Sequence, residues 1–189
     1  MNTKKIILAS ASPRRRELLK LAGMPFSVDP ANADESPMTG ESPREHVRRL
    51  AILKAGTVAA RHRKGLVLGA DTVVVVDGMI LGKPASKAEA RRMLKLISGR
   101  THDVLTGIAL ADAGTGRVVS AVDRTKVAVK PLSVKEIEDY VKTGEPMDKA
   151  GAYGIQGLFS VYVSGIRGCF FNVVGLPLPR LFGLIKKIA

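Results

Sequence analysis

A mixed α/β fold is predicted by three features of this 189-residue chain. Helix starts alternate with apolar, β-rich runs along the whole length. Three Ser-x-x-Glu capping boxes, at Ser42, Ser86 and Ser133, mark helix N-termini. Asp77-Gly78 joins two apolar runs as a hairpin, so the sheet is not purely parallel.

The elements follow in order. Ile6 to Ala9 predicts a short buried strand, and Ser12-Pro13 starts a helix with Ser as N-cap and Pro at its first position. Leu18, Leu19, Leu21 and Ala22 supply its apolar face and Gly23 stops it. Asn32 to Gly40 is a polar loop. The box at Ser42 opens a helix with Val47, Leu50, Ala51, Leu53 and Lys54, ending near Gly65. Leu66 to Val76 is a long Val-rich run that Gly69-Ala70-Asp71-Thr72 interrupts. It returns after the hairpin through Met79 to Leu81, to Gly82-Lys83-Pro84.

The box at Ser86 opens a helix that Gly99 ends. Val104 to Ala111 and Val118 to Val129 read as strands, and the box at Ser133 opens a helix ending at Gly144. Gly151 to Gly157 is a glycine-rich loop. Leu158 to Val163 and Phe170 to Val174 read as a late hairpin, and Leu178 to Ile188 as a closing helix. No repeat or linker divides the chain, so residues 1–189 are expected to form a single domain.

Composition narrows the function classes. Cys169 is the single cysteine, which excludes an intramolecular disulfide framework and a Cys-only metal site. His46, His62 and His102 show no metal-ligand spacing. Met1 to Leu8 is too short and polar for a secretory signal, and no apolar run is long enough to span a bilayer. The expected location is the cytoplasm. A net charge of +13 points to a polyanionic partner or, more blandly, to a basic solvated surface.

Four segments carry candidate chemistry. In Ser10-Ala11-Ser12-Pro13-Arg14-Arg15-Arg16, three arginines crowd the first turn of a helix, where the dipole disfavours cations by about 0.3–1 kcal/mol each. A bound phosphate resolves that conflict; a solvated basic turn relieved by Glu17 is the alternative. Asp71 lies inside an apolar run, and a buried carboxylate needs a partner, either a metal or local hydrogen bonds. Lys54, Lys83 and Lys149 are point-charge candidates for phosphate, two of them at glycine- or proline-bounded turns. In Glu145 to Gly157, glycines allow close backbone approach, and Gln156 has both the donor and the acceptors that reading a base requires. A purely structural loop would explain the same glycines.

Together these segments resemble the Maf family of nucleotide pyrophosphatases almost end to end. The resemblance rests on Ser10 to Arg15, Gly69 to Thr72, Gly82-Lys83-Pro84, Ser98-Gly99-Arg100-Thr101-His102, Glu145 to Gly157, and Val173-Val174-Gly175-Leu176-Pro177. It implies an elongated mixed sheet with flanking helices in two lobes around a cleft, similar to the inosine-triphosphate pyrophosphatases. It also implies a homodimer and the use of Mg²⁺ or Mn²⁺. By resemblance Asp71 is the proton acceptor, with Glu35 its acidic partner at the metal. Arg14, Thr72 and Gln156 fall on positions that govern substrate choice. Ser10, Arg15, Lys54 and Lys83 look like the phosphate-contacting set; Lys149 stands beside them on its turn position alone. Asp148 to Gly157 looks like the branch acting on dTTP and UTP; the branch preferring 7-methyl-GTP has Glu where this chain has Gln156.

The expected reaction is therefore metal-assisted hydrolysis of a pyrimidine nucleoside triphosphate to its monophosphate and pyrophosphate. Two alternatives stand beside it: a pyrophosphatase for modified nucleotides, and a non-enzymatic nucleic-acid-binding division regulator. Against the last, the chain has no zinc pattern, no interleaved aromatic and basic surface and no recognition helix, so no specific nucleic-acid partner is expected.

Overall fold

The structure, a computed structural model, describes residues 5–188; the part of the signal-peptide reading that falls on residues 1–4 lies outside them. Among the described residues the chain alternates strands β1 (Ile6–Leu8), β2 (Phe26–Val28), β3 (Leu66–Val76), β4 (Met79–Leu81), β5 (Thr101–Asp112), β6 (Val118–Val129) and β7 (Val163–Arg167) with helices. The helices are α1 (Pro13–Leu21), α2 (Pro43–Ala59), α3 (Lys87–Ile97), α4 (Val134–Lys142), α5 (Phe170–Val174) and α6 (Leu178–Ile188). The strands form one mixed sheet in the order β2-β1-β3-β5-β6-β7, with β4 paired to β3. β1 runs parallel to β2 and β3, while β3–β4 and β6–β7 are antiparallel. The expected mixed α/β sheet with flanking helices is what forms.

The chain divides into two compact units. Among the described residues one holds 5–71, Thr106–Asp123 and 175–188; the other holds Thr72–Leu105 and Arg124–Val174. In the first unit, α2 lies unusually close to the sheet. A Cβ on Gly69 would stand 2.1 Å from the carbonyl oxygen of Ala51, and one on Gly107 would stand 2.1 Å from that of Val47. Ala51, Ala55, Ala109 and Ala111 fill the remaining space with Ile7, Val58 and Val67. Small residues on both surfaces thus let the helix backbone approach the strands. α2 buries Val47, Leu50, Ala51, Lys54, Ala55 and Val58, so Lys54 occupies a position in its apolar stripe.

In the second unit, α3 buries Ala90, Met93, Leu94 and Ile97 at helical spacing, and α4 buries Ile137, Tyr140 and Val141. Tyr140, Tyr153, Phe159 and Tyr162 form a chain of ring contacts through Phe159.

Several local expectations hold. The boxes at Ser42 and Ser133 form with both hydrogen bonds. Asp77 and Gly78 both take positive φ, as the two-residue hairpin requires. Others need correction. β3 runs unbroken through Gly69 to Thr72, because Gly69 serves the close approach of α2 and not a chain break. Ser12 is the N-cap of α1, but its side chain makes no capping hydrogen bond. The box at Ser86 is half formed: Ser86 accepts from the Glu89 N–H, whereas the Glu89 carboxylate accepts from Ala85. Leu21 is exposed, and α2 stops at Ala59, not near Gly65.

The late hairpin is not there. Leu158–Tyr162 is a 3₁₀ turn, Val163–Arg167 pairs with β6, and Phe170–Val174 is helical. Short apolar runs do not distinguish strand from buried helix. Here Thr125 Oγ1 accepts from the Cys169 N–H and donates to its carbonyl, both at 3.1 Å, and Asn172 Nδ2 donates to the same oxygen at 3.0 Å. β2, only three residues long, escaped the sequence reading altogether.

Candidate active site

The first unit gathers three of the expected residues on one ammonium group. Lys54 projects from the buried stripe of α2, and its Nζ donates to Asp71 Oδ1 at 2.8 Å and to Glu35 Oε1 at 2.8 Å. Asp71 and Lys54 are each only 7% exposed, while the Glu35 side chain is 58% exposed. This satisfies the need for a partner that burial places on Asp71, and the partner is a lysine. Two carboxylates gathered on one ammonium, one deep and one reachable from water, are also ligands of the type a hard divalent cation takes. Such a cation takes one or two carboxylates and completes its shell with water and substrate phosphate. Among the described residues no group of three or more His, Cys, Asp or Glu gathers, so substrate oxygens would have to supply the rest.

The basic turn stands at the start of α1. Arg15 Nε donates to the Gly175 carbonyl at 2.9 Å, and another guanidinium nitrogen donates to Ser10 Oγ at 3.0 Å. Ser10 Oγ also accepts from the Ser12 N–H at 3.2 Å. Burial lowers the Arg15 pKa, the Arg14 charge adds to that, and the negative charges of Asp71 and Glu35 oppose it. The first turn of α1 has no acidic residue of its own, so its positive dipole end meets the Ser10 to Pro13 turn without a local carboxylate.

Sequence reasoning missed the clamp that holds the Glu35 loop. Glu41 accepts from Arg49 through both carboxylate oxygens, at 2.6 and 2.8 Å, and meets His46 Nδ1 at 3.0 Å. Arg49 also donates to the Ser36 carbonyl at 3.1 Å, next to Glu35. The Arg49 hydrogen bonds, ahead of the one from His46, pull Glu41 down to about 2. Arg49 and His46 lie on the helix that carries Lys54, so the clamp fixes Glu35 relative to Lys54. The only signal in the sequence was a Glu directly before a capping box.

The second unit holds the remaining candidates. Thr72 is half-buried in β3, and Lys83 is exposed on the turn after β4. The Gly151 N–H donates to the Gly82 carbonyl at 2.9 Å, which ties the Lys83 turn to the glycine-rich segment. At Gly151 (φ 67) a Cβ would stand 2.7 Å from Val74, and Ala152 follows at φ 61. Here the chain makes a left-handed turn directly against β3, which only glycine at 151 permits. Lys149 is turned into its own loop: its Nζ donates to the Glu145 carbonyl at 2.9 Å and to Asp148 at 2.6 Å. Gln156 is exposed, between buried Ile155 and half-buried Gly157.

His102, which the sequence analysis placed only within a motif, is 3% exposed and meets Tyr153 Oη through Nε2 at 2.7 Å. Its Nδ1 has no hydrogen-bond partner among the described residues. Burial lowers its pKa from the usual 6.5 to about 4.

A mixed α/β protein with a buried acid–lysine cluster beside a basic helix start is the class these features define. Comparison places it more closely: residues 5–188 match the family described as Maf-like protein, and the chain belongs to the Maf family. The chain is 54% identical over 182 residues to the dTTP/UTP pyrophosphatase of Symbiobacterium thermophilum, covering 96% of this chain and 93% of that one. It is 52% identical over 181 residues to that of Moorella thermoacetica and 50% identical over 182 residues to that of Koribacter versatilis, with the same coverage. Among solved structures, that of the Staphylococcus aureus Ham1 protein aligns with TM-score 0.47 and 17% identity, over 67% of this chain and 72% of that one.

Proposed function

We propose that this chain hydrolyses dTTP and UTP to the monophosphate and pyrophosphate, acting as one functional domain. The observation that carries the reading is the Asp71–Lys54–Glu35 cluster: a buried carboxylate held by an ammonium, with a hydrated carboxylate at the same point. The printed activity of relatives about 50% identical over nearly the whole chain supports the substrate class.

In this reading Asp71 takes a proton from water, whose oxygen attacks the α-phosphorus. The bond from that phosphorus to the bridging oxygen breaks, and pyrophosphate leaves with the electron pair. Asp71 and Glu35 would hold Mg²⁺ or Mn²⁺, which when bound supplies charge neutralisation on the phosphates. From the first unit, Ser10, Arg14, Arg15 and Lys54 take phosphate charge. Lys83 of the second unit joins that set by resemblance and Lys149 as a point charge at a glycine-bounded turn, and Thr72 joins Arg14 in substrate choice by resemblance. Gln156 reads the base: a neutral amide can pair with both the O4 acceptor and the N3–H donor of uracil or thymine. Among the described residues no helix is long and apolar enough to cross a membrane. We place the chain in the cytoplasm as a homodimer, with no specific nucleic-acid partner.

A pyrophosphate-release assay over normal and modified triphosphates, with Mg²⁺, Mn²⁺ or chelator, tests the reading. The expected result is one pyrophosphate per monophosphate from dTTP and UTP, abolished by chelation. Release of orthophosphate, or a preference for a purine or modified base, would overturn it.

A further inference from the structure

Gln156 sits on a turn whose two ends are fastened to one pair of side chains. The Gly157 N–H donates to the Gly154 carbonyl at 3.3 Å, closing a turn with Ile155 and Gln156 at its corner. Before the corner, the Gly154 N–H donates to Tyr140 Oη at 3.4 Å. After it, the Leu158 N–H donates to Glu145 Oε2 at 3.0 Å. The Tyr140 hydroxyl donates to Glu145 Oε1 at 3.0 Å and so closes the ring of contacts. Tyr140 is 5% exposed and packs on Phe159 in the core of its unit, so the anchor is rigid.

The glycine at 157 fits the same account. Its φ of −101 is open to any residue, so the backbone does not call for glycine. A Cβ there would stand 2.1 Å from Glu145 Oε1 and 2.5 Å from its Cδ. The carboxylate of Glu145 occupies the place of a side chain at 157.

We propose that Tyr140 and Glu145 are positioning residues that hold the Gln156 turn and thereby share in the choice of base. The proposal rests on the reading of Gln156 as the base-contacting residue. Thymine and cytosine present opposite donor and acceptor patterns at the positions in question. An amide on a loose turn can swing to meet either pattern, whereas an amide on a held turn is set for one.

The test is steady-state kinetics on dTTP and dCTP for Tyr140→Phe, Glu145→Gln and Gln156→Ala. Tyr140→Phe removes the hydroxyl from both contacts. In Glu145→Gln an NH₂ turned toward the Leu158 N–H sets donor against donor, whereas an NH₂ turned toward Tyr140 reverses that bond and leaves the hydroxyl hydrogen without the carboxylate, so one original donor–acceptor match is lost either way. Both variants are expected to lose about 5–10-fold in the dTTP/dCTP ratio of kcat/KM, carried by KM for dTTP and not by kcat. Gly157→Ala should cause a similar loss with Glu145 present and no further loss when added to Glu145→Ala. Should Gln156→Ala keep wild-type selectivity, the base-reading assignment fails and this proposal with it. Should Gln156→Ala lose selectivity while Tyr140→Phe and Glu145→Gln both keep it, the positioning role alone is overturned. Strict additivity of Gly157→Ala and Glu145→Ala would also count against it.

Discussion

The polar groups around Asp71 and those around Gln156 are held in opposite ways. Around Asp71 the contacts join full charges: Lys54 to two carboxylates, and the doubly bonded Arg49–Glu41 pair behind the loop of Glu35. Around Gln156 they are backbone N–H groups on a phenol and a carboxylate, with glycines removing side chains where the chain passes close. Strong, localised charge suits proton transfer and phosphate, whose own charge changes during reaction. A neutral amide on a held turn suits a base, which is told apart by the pattern of its donors and acceptors. Each prediction below breaks or sharpens this contrast, beginning with the largest expected effect.

In the proposed reaction Asp71 is the base, so removing its charge strikes the proton transfer. Asp71→Asn should lower turnover by about 10²–10⁴-fold, the range for losing a positioned general base, with little change in melting temperature because Lys54 keeps Glu35. Near-normal turnover would strip Asp71 of the base role. Lys54→Met should act on stability. It leaves a carboxylate only 7% exposed without its ammonium, at a cost of about 3 kcal/mol. This is the low end for a broken buried pair, because the 58%-exposed side chain of Glu35 remains hydrated. Urea unfolding at unchanged m-value measures it; a shift below about 0.5 kcal/mol, as at an ordinary surface site, would mean that the pair does not hold Asp71.

How far the sequence foretold these regions follows from the same contrast. Asp71 was legible because a carboxylate in an apolar run violates patterning, and Lys54 because it follows an apolar stretch of helix. The family resemblance supplied Glu35, which no local rule singles out. Elements with strong local signals, such as the boxes at Ser42 and Ser133 and the Asp77-Gly78 turn, formed as read. The segment 158–174 did not, and its contacts are distant in the chain: Cys169 meets Thr125 and Asn172 meets Val104, each more than forty residues away. The fastening of Gln156 was illegible for a like reason: Tyr140 lies on α4, fourteen residues before Gly154, and only the fold brings its hydroxyl to Glu145 and Gly154. Gly69 and Gly157 looked like chain breaks or loop glycines, yet both are made necessary by what approaches them in space.

The second unit has its own buried titratable group, and pH exposes it. Burial holds the His102 pKa at about 4, while an unfolded histidine titrates near 6.5. Above pH 6.5 both states are neutral and stability is at its full value. Between pH 6.5 and 4 the unfolded chain takes up a proton that folded His102 refuses, so stability falls on acidification. The limit of that loss is about 3 kcal/mol from this residue. His102→Gln should flatten the slope of urea midpoint against pH across that window, relative to the parent chain. Parallel slopes in the two proteins would show that His102 already takes up its proton while folded.

The smallest effect expected is also the most selective. Gln156→Glu leaves the size of the side chain almost unchanged and replaces a donor with a second acceptor. Facing O4 of thymine or uracil, the carboxylate has no hydrogen to give, and the pairing is lost at a cost of about 1–3 kcal/mol. kcat/KM on dTTP and UTP should fall by about 10-fold or more, while a guanine triphosphate, which offers N–H donors to a carboxylate, should be relatively favoured. Because Gln156 is exposed and its turn is held by Tyr140 and Glu145, the substitution should leave the urea midpoint where it was. A selectivity profile unchanged across dTTP, UTP and the guanine triphosphate would take base reading away from Gln156. The contrast would then lose its recognition side, and the charged cluster around Asp71 would be left as the only assigned chemistry.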